Sequence, residues 1–439
     1  MTTPLPLSTI PLTAPPALSE AGIVFVLLLL VLAPLAIAGV ALINVGLGRS
    51  RSAAQALLGN MVVVSTAFIG FALIGATLVG NTGGPAHVIQ LAGKPWNWLG
   101  EGPFLLIGIS NDPAQSQLEI LFQFLAVAMA AIIPWGSGAD RLRLSAGCAI
   151  AAVLSILVFP VLAHWVWAGG WLAQLGINFS AGAGFLDPAG AGTVHLLGGL
   201  SALAVVWLVG SRRGKFPKEG FATAMPGHSA AYILFGCLVA LVGWLGFNLA
   251  GASLWLHAPL AALPVTALNT LLTAAGALTA TYTVTRVRFG KPDASLCANG
   301  WLAGLVTSSA CAAVASPFES IFAGSIAGVI TPLLIELLEL ALSIDDPSGA
   351  IAAHAAAGLW GLLAVGFFAP KPGQLIAQLT GIATLLGIVL PLVYLLFSVL
   401  NRLVPFRVDP DGERMGMDLH ELGGGAYPEF VIHRDESYR

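Results

Sequence analysis

Two stretches of the sequence follow one pattern, and they decide the fold. Residues 187–200 read DPAGAGTVHLLGGL and residues 346–359 read DPSGAIAAHAAAGL, so both match D-P-x-G-x4-H-x3-G-L. Because the second copy comes five hydrophobic runs after the first, the two copies enter a membrane from opposite sides. This is typical of an inverted repeat, in which two halves are related by a pseudo-two-fold axis in the membrane plane.

Each copy places one histidine deep in the membrane. Asp187 and Asp346 are suited to cap helices with Pro at the first position, so both Asp-Pro pairs are first of all helix start signals. His195 and His354 each lie eight residues beyond their Asp, which is about 12 Å along a helix. An ionisable side chain at that depth is costly and indicates a transport pathway or a buried pair. A glycine four residues after each histidine allows close helix approach.

The composition indicates a membrane protein. Hydrophobic residues make up 57% of the 439 residues and charged residues only 9%, whereas a soluble domain has about 25% charged residues. This excludes a secreted or cytosolic globular protein and a disordered chain, and the net charge of -3 offers no basic surface for nucleic acid. The four cysteines lie in apolar stretches without C-x-x-C spacing, so neither a disulfide framework nor a metal site is predicted.

Eleven hydrophobic runs are long enough to cross a membrane, since a transmembrane helix needs about 20 apolar residues. They cover residues 20–47, 54–80, 115–137, 144–168, 190–210, 228–252, 258–285, 294–314, 318–342, 349–369 and 374–403, and are numbered spans 1 to 11. They form one domain over residues 19–404, between a polar lead-in of residues 1–18 and a cytoplasmic tail of residues 405–439. The predicted fold class is an all-α polytopic membrane protein, with an inverted five-helix repeat (spans 1–5 and 6–10) plus a final helix.

The basic residues fix the orientation of the spans. With the N-terminus outside, 16 of the 18 Lys and Arg residues lie in inner loops or in the tail, and only Lys94 and Lys371 lie outside. A miscounted span would reverse every later loop and destroy this separation. The positive-inside rule therefore predicts eleven spans, with the N-terminus outside and the C-terminus inside.

Two histidines that meet in an apolar lumen suit a small substrate. Because burial disfavours the charged form, both imidazoles are expected to be neutral, each with one N–H donor and one acceptor nitrogen. Such a pair fits a small molecule that both donates and accepts hydrogen bonds, or a relayed proton. No third or fourth ligand stands nearby for a metal ion, and spans rich in Gly and Ala leave little room for a large substrate. We expect a channel or transporter without a cofactor, and no enzyme.

Motifs elsewhere in the chain give it a resemblance to a known family. They are Phe122-Gln123 in span 3, Asp140-Arg141 after it, Ala163-His164-Trp165-Val166-Trp167 in span 4, Gly243-Trp244-Leu245-Gly246-Phe247-Asn248 in span 6, Gly290-Lys291-Pro292, Asp345-Asp346-Pro347, and Gly416-Met417-Asp418 with Ala426-Tyr427 in the tail. With these motifs and the two histidine repeats, the sequence resembles the ammonium transporter/methylammonium permease/Rhesus family from about Ser19 to Tyr427.

The resemblance implies a homotrimer of eleven-helix protomers in the inner membrane of a bacterial cell, each protomer with its own hydrophobic pore for ammonium or ammonia. His195 and His354 match the pore histidines of the family. Phe247 matches one half of the aromatic gate, and Asp187 matches an acidic residue that supports the recruitment site. The remaining matches at the gate and vestibule are Phe122, Gln123, Trp244 and Asn248.

The sequence departs from the family pattern at the outer mouth. Ala126 stands where the family has the second gate phenylalanine, Leu154 where it has a vestibule tryptophan, and Gly251 where it has an ammonium-binding serine. Two aromatic faces and one hydroxyl are therefore missing, and cation capture is expected to be weaker by about a hundredfold or more. Trp165, Trp167 and Trp171 are candidates to replace these faces, although an interfacial aromatic belt is the favoured interpretation.

The tail also departs from the family pattern. In bacterial members the tail docks a PII-type nitrogen-regulatory protein. Leu422 and Gly424 stand where the family typically has His and Glu. The sequence therefore leaves open whether such a partner docks on this tail.

Three functions remain open from the sequence. The first is a passive ammonia/ammonium channel or transporter that uses the two histidines and has weakened cation capture. The second keeps the fold but conducts methylamine or a neutral gas such as carbon dioxide, because Ala126 widens the gate. The third is an ammonium sensor that signals without conducting, although the 35-residue tail is too short for a signalling domain.

Overall fold

A computed structural model of the chain describes residues 17–81 and 84–427. The predicted lead-in lies almost entirely outside the described residues, as do Arg434 and Arg439 of the tail. Ten helices in the described part are long and apolar enough to cross a membrane, and Ala294–Cys311 completes the predicted eleven. Spans 1 to 11 are Glu20–Leu47, Ser50–Val79, Ala114–Ser137, Leu144–Val166, Ala191–Val209, Ala230–Trp255, Leu260–Phe289, Ala294–Cys311, Pro317–Ala341, Ile351–Phe368 and Gln374–Leu403.

Span 8, Ala294–Cys311, is the one predicted span that is not apolar enough to be counted among these ten helices. It packs against spans 6, 7, 9 and 10, and most of its residues are buried. Its hydroxyl groups find partners within the protein: Thr307 Oγ1 donates to the Ala357 carbonyl at 3.3 Å, and Ser308 Oγ donates to the Leu305 carbonyl at 2.6 Å. A helix enclosed by protein can carry such polar side chains, and the Thr307 hydrogen bond links span 8 to span 10.

The outer loop between spans 2 and 3 contains a β-hairpin, which the sequence does not predict. Strands β1 (Ala86–Leu91) and β2 (Lys94–Gly100) pair antiparallel. The ring of Trp98 stacks on Trp171 with centroids 6.1 Å apart, and the Trp98 carbonyl accepts a hydrogen bond from Trp165 Nε1 at 2.8 Å. Trp165 and Trp171 therefore form an aromatic cluster with the hairpin.

A buried ionic network ties three inner loops together. Arg212, after span 5, donates from Nη2 to Asp345 Oδ1 at 2.8 Å and from Nε to Asp345 Oδ2 at 2.9 Å. It also donates to Asp140 at 3.2 Å, and Arg141 donates to the Asp345 carbonyl at 2.7 Å. Burial alone would raise the pKa of Asp345, but the hydrogen bonds from Arg212 and the charge of Arg141 outweigh it and lower this pKa.

The tail folds back onto the inner ends of spans 2 and 4. The Asp418 carboxylate accepts hydrogen bonds from the backbone N–H groups of Gln55 at 2.7 Å and Ala54 at 3.2 Å. The Glu421 carboxylate accepts one from the Leu144 N–H at 3.0 Å. Neither helix start has a side-chain cap of its own. Two tail carboxylates therefore serve as caps, where the helix dipole favours a negative charge.

We expect Asp418→Ala to loosen the tail. Loss of a helix cap costs about 1 kcal/mol, which corresponds to a roughly fivefold higher population of the open tail. Hydrogen exchange measured by mass spectrometry should then be faster by about that factor at residues 54–55 and in the tail. The control is Asp411→Ala, whose carboxylate is 80% exposed and pairs with exposed Arg414 at 3.4 Å. Exchange rates equal to the wild type in Asp418→Ala would contradict the capping role.

Candidate functional site

Both predicted helix starts are capped by their aspartates. Asp187 Oδ2 accepts hydrogen bonds from the N–H groups of Gly192 at 3.0 Å and Thr193 at 2.7 Å. Asp346 Oδ2 accepts one from the Ile351 N–H at 2.8 Å. The two aspartates therefore cap these helix starts as predicted. The prediction of Pro at the first helical position is wrong, because the helical segments begin at Ala191 and Ile351, after Pro188 and Pro347.

The glycine of each repeat sets the geometry of the turn that follows. Gly190 has φ 82° and Gly349 has φ 67°, which is left-handed backbone that favours glycine. The chain then enters a single π-helical turn in each repeat, Ala191–Leu196 and Ile351–Ala356. Such turns are rare and occur frequently at functional sites. Each turn carries the histidine of its repeat.

The second glycine of each repeat allows spans 5 and 10 to cross at close range. A Cβ atom on Gly199 would overlap the Ala355 backbone nitrogen, and one on Gly358 would overlap the Ala191 carbonyl oxygen. These close approaches bring the two histidine-bearing turns together.

The two histidines meet inside the protein. His195 and His354 are 3% and 2% exposed, their Nδ1 atoms lie 3.2 Å apart, and their ring centroids lie 5.2 Å apart at an interplanar angle of 24°. For this contact to be a hydrogen bond between neutral rings, one Nδ1 must donate and the other must accept. The two Nε2 atoms then differ as well, because one carries a hydrogen and the other is a free acceptor. A small molecule that both donates and accepts would match this arrangement.

Span 6 fixes the histidine pair from one side. The Trp244 ring stacks on His195, with centroids 5.0 Å apart and an interplanar angle of 13°. Its Nε1 donates to Ser309 Oγ of span 8 at 2.9 Å, and Asn248 Nδ2 donates to Ser308 Oγ at 2.8 Å. The sequence reasoning missed the two serines, although two adjacent hydroxyls in an apolar helix are a signal of buried hydrogen bonding.

Aromatic rings form a layer on the outer side. Phe122 and Phe247 meet edge to face, with centroids 5.5 Å apart at 78°. Phe122 also contacts the Trp167 ring at 5.3 Å and 85°. Gln123, the next residue in span 3, is buried. Phe122 thus provides a direct partner for Phe247, even though residue 126 is alanine.

The three residues that depart from the family pattern, at positions 126, 154 and 251, are packed inside the protein. Ala126 and Leu154 are completely buried. Gly251 lies against the segment before span 5, and a Cβ atom there would overlap the Pro188 carbonyl oxygen. A serine at residue 251 would therefore require Pro188 to move.

A cavity of about 480 Å³ lies against this aromatic layer. Trp167, Trp255, Asp187, Pro188 and Lys371 are among the residues that line it. Trp167 Nε1 donates to the Asp187 carbonyl oxygen at 2.8 Å, which holds the indole against the start of span 5. Trp165 and Trp171 are not among the lining residues. Within residues 17–81 and 84–427, no three His, Cys, Asp or Glu side chains are grouped as metal ligands.

Comparison of the sequence with known families and proteins finds one family along most of its length. The model of the Ammonium Transporter Family matches residues 24–427. The ammonium transporter Amt2 of Archaeoglobus fulgidus is 34% identical over 417 residues, which cover 90% of this chain and 85% of the relative. Ammonium transporter Amt2 of Haloferax mediterranei is 31% identical over 413 residues, covering 88% and 86%.

Solved structures share the fold. The structure of a protein named Sensor Amt Protein superimposes with a TM-score of 0.82 and 25% identity, over 91% of this chain and 97% of the other. The crystal structure of Candida albicans Mep2 superimposes with a TM-score of 0.78 and 24% identity, over 94% and 93%. The architecture described above is therefore one that solved membrane proteins adopt.

Proposed function

Because the chain belongs to the ammonium transporter family, we propose that it moves ammonium or ammonia across a membrane past His195 and His354. The observation that carries this proposal is the buried contact of the two imidazoles, whose Nδ1 atoms are 3.2 Å apart. The family relation supports ammonium or ammonia as the substrate. The crossing of spans 5 and 10, which brings the two histidines together, supports the route past them.

The histidine pair suits the neutral molecule better than the ion. A charged group in the apolar interior of a membrane costs about 3 kcal/mol or more, so ammonium leaves its proton at the outer mouth. Ammonia then accepts a hydrogen bond from the free Nε2–H of one ring and donates one to the free Nε2 of the other. The free Nε2 of one ring takes the proton that ammonium gives up, and the Nδ1 proton of that ring passes to Nδ1 of the other ring across the hydrogen bond. The second ring then releases its Nε2 proton towards the inner side, which makes transport electrogenic.

The outer side of this route controls entry. The edge-to-face pair of Phe122 and Phe247 forms the gate. Asp187 supports the recruitment site by fixing the start of span 5. Recruitment is weaker than in the family, because residues 126, 154 and 251 lack the family side chains.

Assembly and location follow from the same family relation. We assign the protein to the cell (inner) membrane as a multi-pass homotrimer, with its tail on the cytoplasmic side. A PII-type protein is a candidate partner of this tail, where Leu419 and Leu422 are 51% and 37% exposed. The docking proposal rests on the bacterial members of the family, and Leu422 and Gly424 are departures from their pattern that count against it.

Two alternatives have a specific observation in their favour. One of the similar solved proteins is named Sensor Amt Protein, which favours an ammonium sensor that does not conduct. The small side chain of Ala126 favours conduction of methylamine or carbon dioxide through a wider gate.

Stopped-flow measurement of the internal pH of proteoliposomes tests these functions together. We expect an ammonium gradient to change the internal pH faster than in protein-free liposomes, and Ala126→Phe to reduce methylamine flux more than ammonium flux. Equal rates with and without protein for ammonium would contradict transport. If methylamine and carbon dioxide also cross the membrane at equal rates with and without protein, the ammonium sensor is the function that remains.

A further inference from the structure

A turn of the outer loop between spans 2 and 3 carries apolar side chains on the surface of the protein. Residues 102–109 read GPFLLIGI and contain no polar side chain, whereas Glu101 and Ser110 border this run. Phe104, Leu105 and Ile107 are 61%, 57% and 69% exposed. A contiguous apolar surface of this kind indicates contact with a membrane or with another protein.

The backbone of the turn is strained and fixed to span 2. Leu105 and Leu106 have φ 59° and 54°, in the left-handed region that residues other than glycine rarely adopt. Thr77 Oγ1 of span 2 donates to the Pro103 carbonyl oxygen at 3.0 Å, and the Gly102 N–H donates to the Thr77 carbonyl oxygen at 3.0 Å. Strained backbone persists only where surrounding contacts compensate for it. Water around exposed apolar side chains provides no such contact, whereas acyl chains do.

The turn lies beside span 2, below the outer end of that span. Phe104–Leu106 packs against Phe71–Gly75 as well as Ala76–Val79. Because Val79 ends span 2, the first of these segments lies about 6–12 Å below the end of the helix. Span 2 has 30 residues, or about 45 Å, which matches the thickness of a bilayer with its headgroups. The turn therefore reaches the boundary between headgroups and acyl chains, where irregular backbone still meets water.

The surface beside the turn is suited to lipid. Ile69 and Leu73 of span 2 lie one helical turn apart and are also exposed, so the apolar surface continues from the turn along a membrane span. Contacts between membrane helices favour small residues that permit close approach, whereas the exposed side chains here are large. Acyl chains fit this surface better than a second copy of the protein.

We propose that Phe104, Leu105 and Ile107 form a membrane anchor, which inserts among the acyl chains of the outer leaflet beside span 2. Strand β2 leads directly into this anchor. Asn97 Nδ2 of β2 donates to the carbonyl oxygen of Gly169, which lines the outer cavity, at 3.2 Å. The anchor therefore fixes one wall of the cavity relative to the bilayer, whatever the substrate.

The test locates a nitroxide spin label on an introduced cysteine of the full-length protein in proteoliposomes. Phe104→Cys is compared with Leu73→Cys on span 2 and with Gln90→Cys on an exposed part of the hairpin. Collisions with oxygen report contact with acyl chains, and collisions with a water-soluble nickel chelate report contact with water. We expect the ratio of oxygen to nickel collision rates at residue 104 to match that at residue 73 and to exceed that at residue 90 severalfold. Labelled wild type provides the background, since three of its four cysteines are buried.

Two results of this experiment would overturn the proposal. A ratio at residue 104 equal to that at residue 90 would place the turn in water. Low collision rates with both reagents, together with dipolar broadening between labels, would place it against a second copy of the chain.

The anchoring role is tested with Phe104→Asp/Ile107→Asp. Because a carboxylate disfavours insertion, we expect amide hydrogen exchange of residues 86–100 in proteoliposomes to become about tenfold faster or more. The control is Leu91→Asp, which changes an exposed apolar residue of the hairpin outside the anchor and should alter exchange by about twofold at most. Equal exchange rates in the two variants would refute the anchor.

Discussion

The double substitution His195→Ala/His354→Ala is expected to lower ammonium-driven flux at least tenfold. A passing ammonia molecule accepts one hydrogen bond from the Nε2–H of one imidazole and donates another to the free Nε2 of the other. In the variant it meets only apolar surface, and each polar group left without a partner costs about 1–3 kcal/mol. A cost of about 1.4 kcal/mol already corresponds to a tenfold lower rate. The measurement is the initial rate of internal pH change in proteoliposomes under an ammonium gradient.

The matched control is a buried histidine outside the proposed route. His164 is 2% exposed and its Nδ1 lies 2.7 Å from the Val79 carbonyl oxygen, so His164→Gln can keep a donor to that oxygen. We expect this variant to transport like the wild type. If the double variant also transports like the wild type, and elutes as an intact assembly, the substrate does not pass along His195 and His354.

Asp345→Leu is expected to lower the free energy of unfolding by about 3–5 kcal/mol, because it leaves the buried Arg212 guanidinium without its main carboxylate partner. Both residues are 4% exposed, so water cannot replace the lost contacts. The double variant Arg212→Met/Asp345→Leu removes both charges and should regain most of this loss. Thermal unfolding in detergent, followed by intrinsic fluorescence, measures the difference.

An exposed ion pair provides the comparison for this prediction. Arg288 and Glu336 are joined at 2.6 Å, with side chains 49% and 21% exposed, and surface pairs contribute about 0–1 kcal/mol. Glu336→Gln should therefore have a small effect. A destabilisation by Asp345→Leu no larger than that of Glu336→Gln would rule out a stabilising network at the inner loops.

The stability provided by Asp345 should depend on pH in one direction. Its pKa lies below the ordinary value of 3.8. Its contribution is therefore complete above that ordinary value and is lost only as the pH falls through the lowered pKa. Any pH dependence of transport near neutrality must come from other groups.

The fold was predictable because its main determinants repeat along the chain. The two D-P-x-G patterns lead to capped helix starts, and the glycines after the histidines allow the two spans to cross. Periodicity does not predict the π-helical turns that carry the histidines, because apolar runs look alike in both kinds of helix. Span 8 was predicted from its length, although it is not among the ten helices that are apolar enough to cross a membrane.

The outer mouth was less predictable. The hairpin turn uses Ala92 and Gly93, both with positive φ, and lacks the Asn-Gly or Asp-Gly signal of such turns. Trp255 contacts Trp167 and Phe122 from distant parts of the chain, and no local pattern predicts such a contact. The resemblance directed attention to the residues that are absent at 126, 154 and 251, whereas the aromatic surface of the cavity depends on tertiary packing.

The central claim is that ammonia passes His195 and His354 while the proton of the ammonium ion is relayed through their Nδ1–Nδ1 contact. Solid-supported-membrane electrophysiology with ammonium pulses tests it most directly, on wild-type proteoliposomes and on the His195→Ala/His354→Ala variant. We expect a transient current that saturates with ammonium in the wild type and is lost in the variant. A wild type that changes the internal pH without any current, or a variant that keeps the full current, would contradict the account.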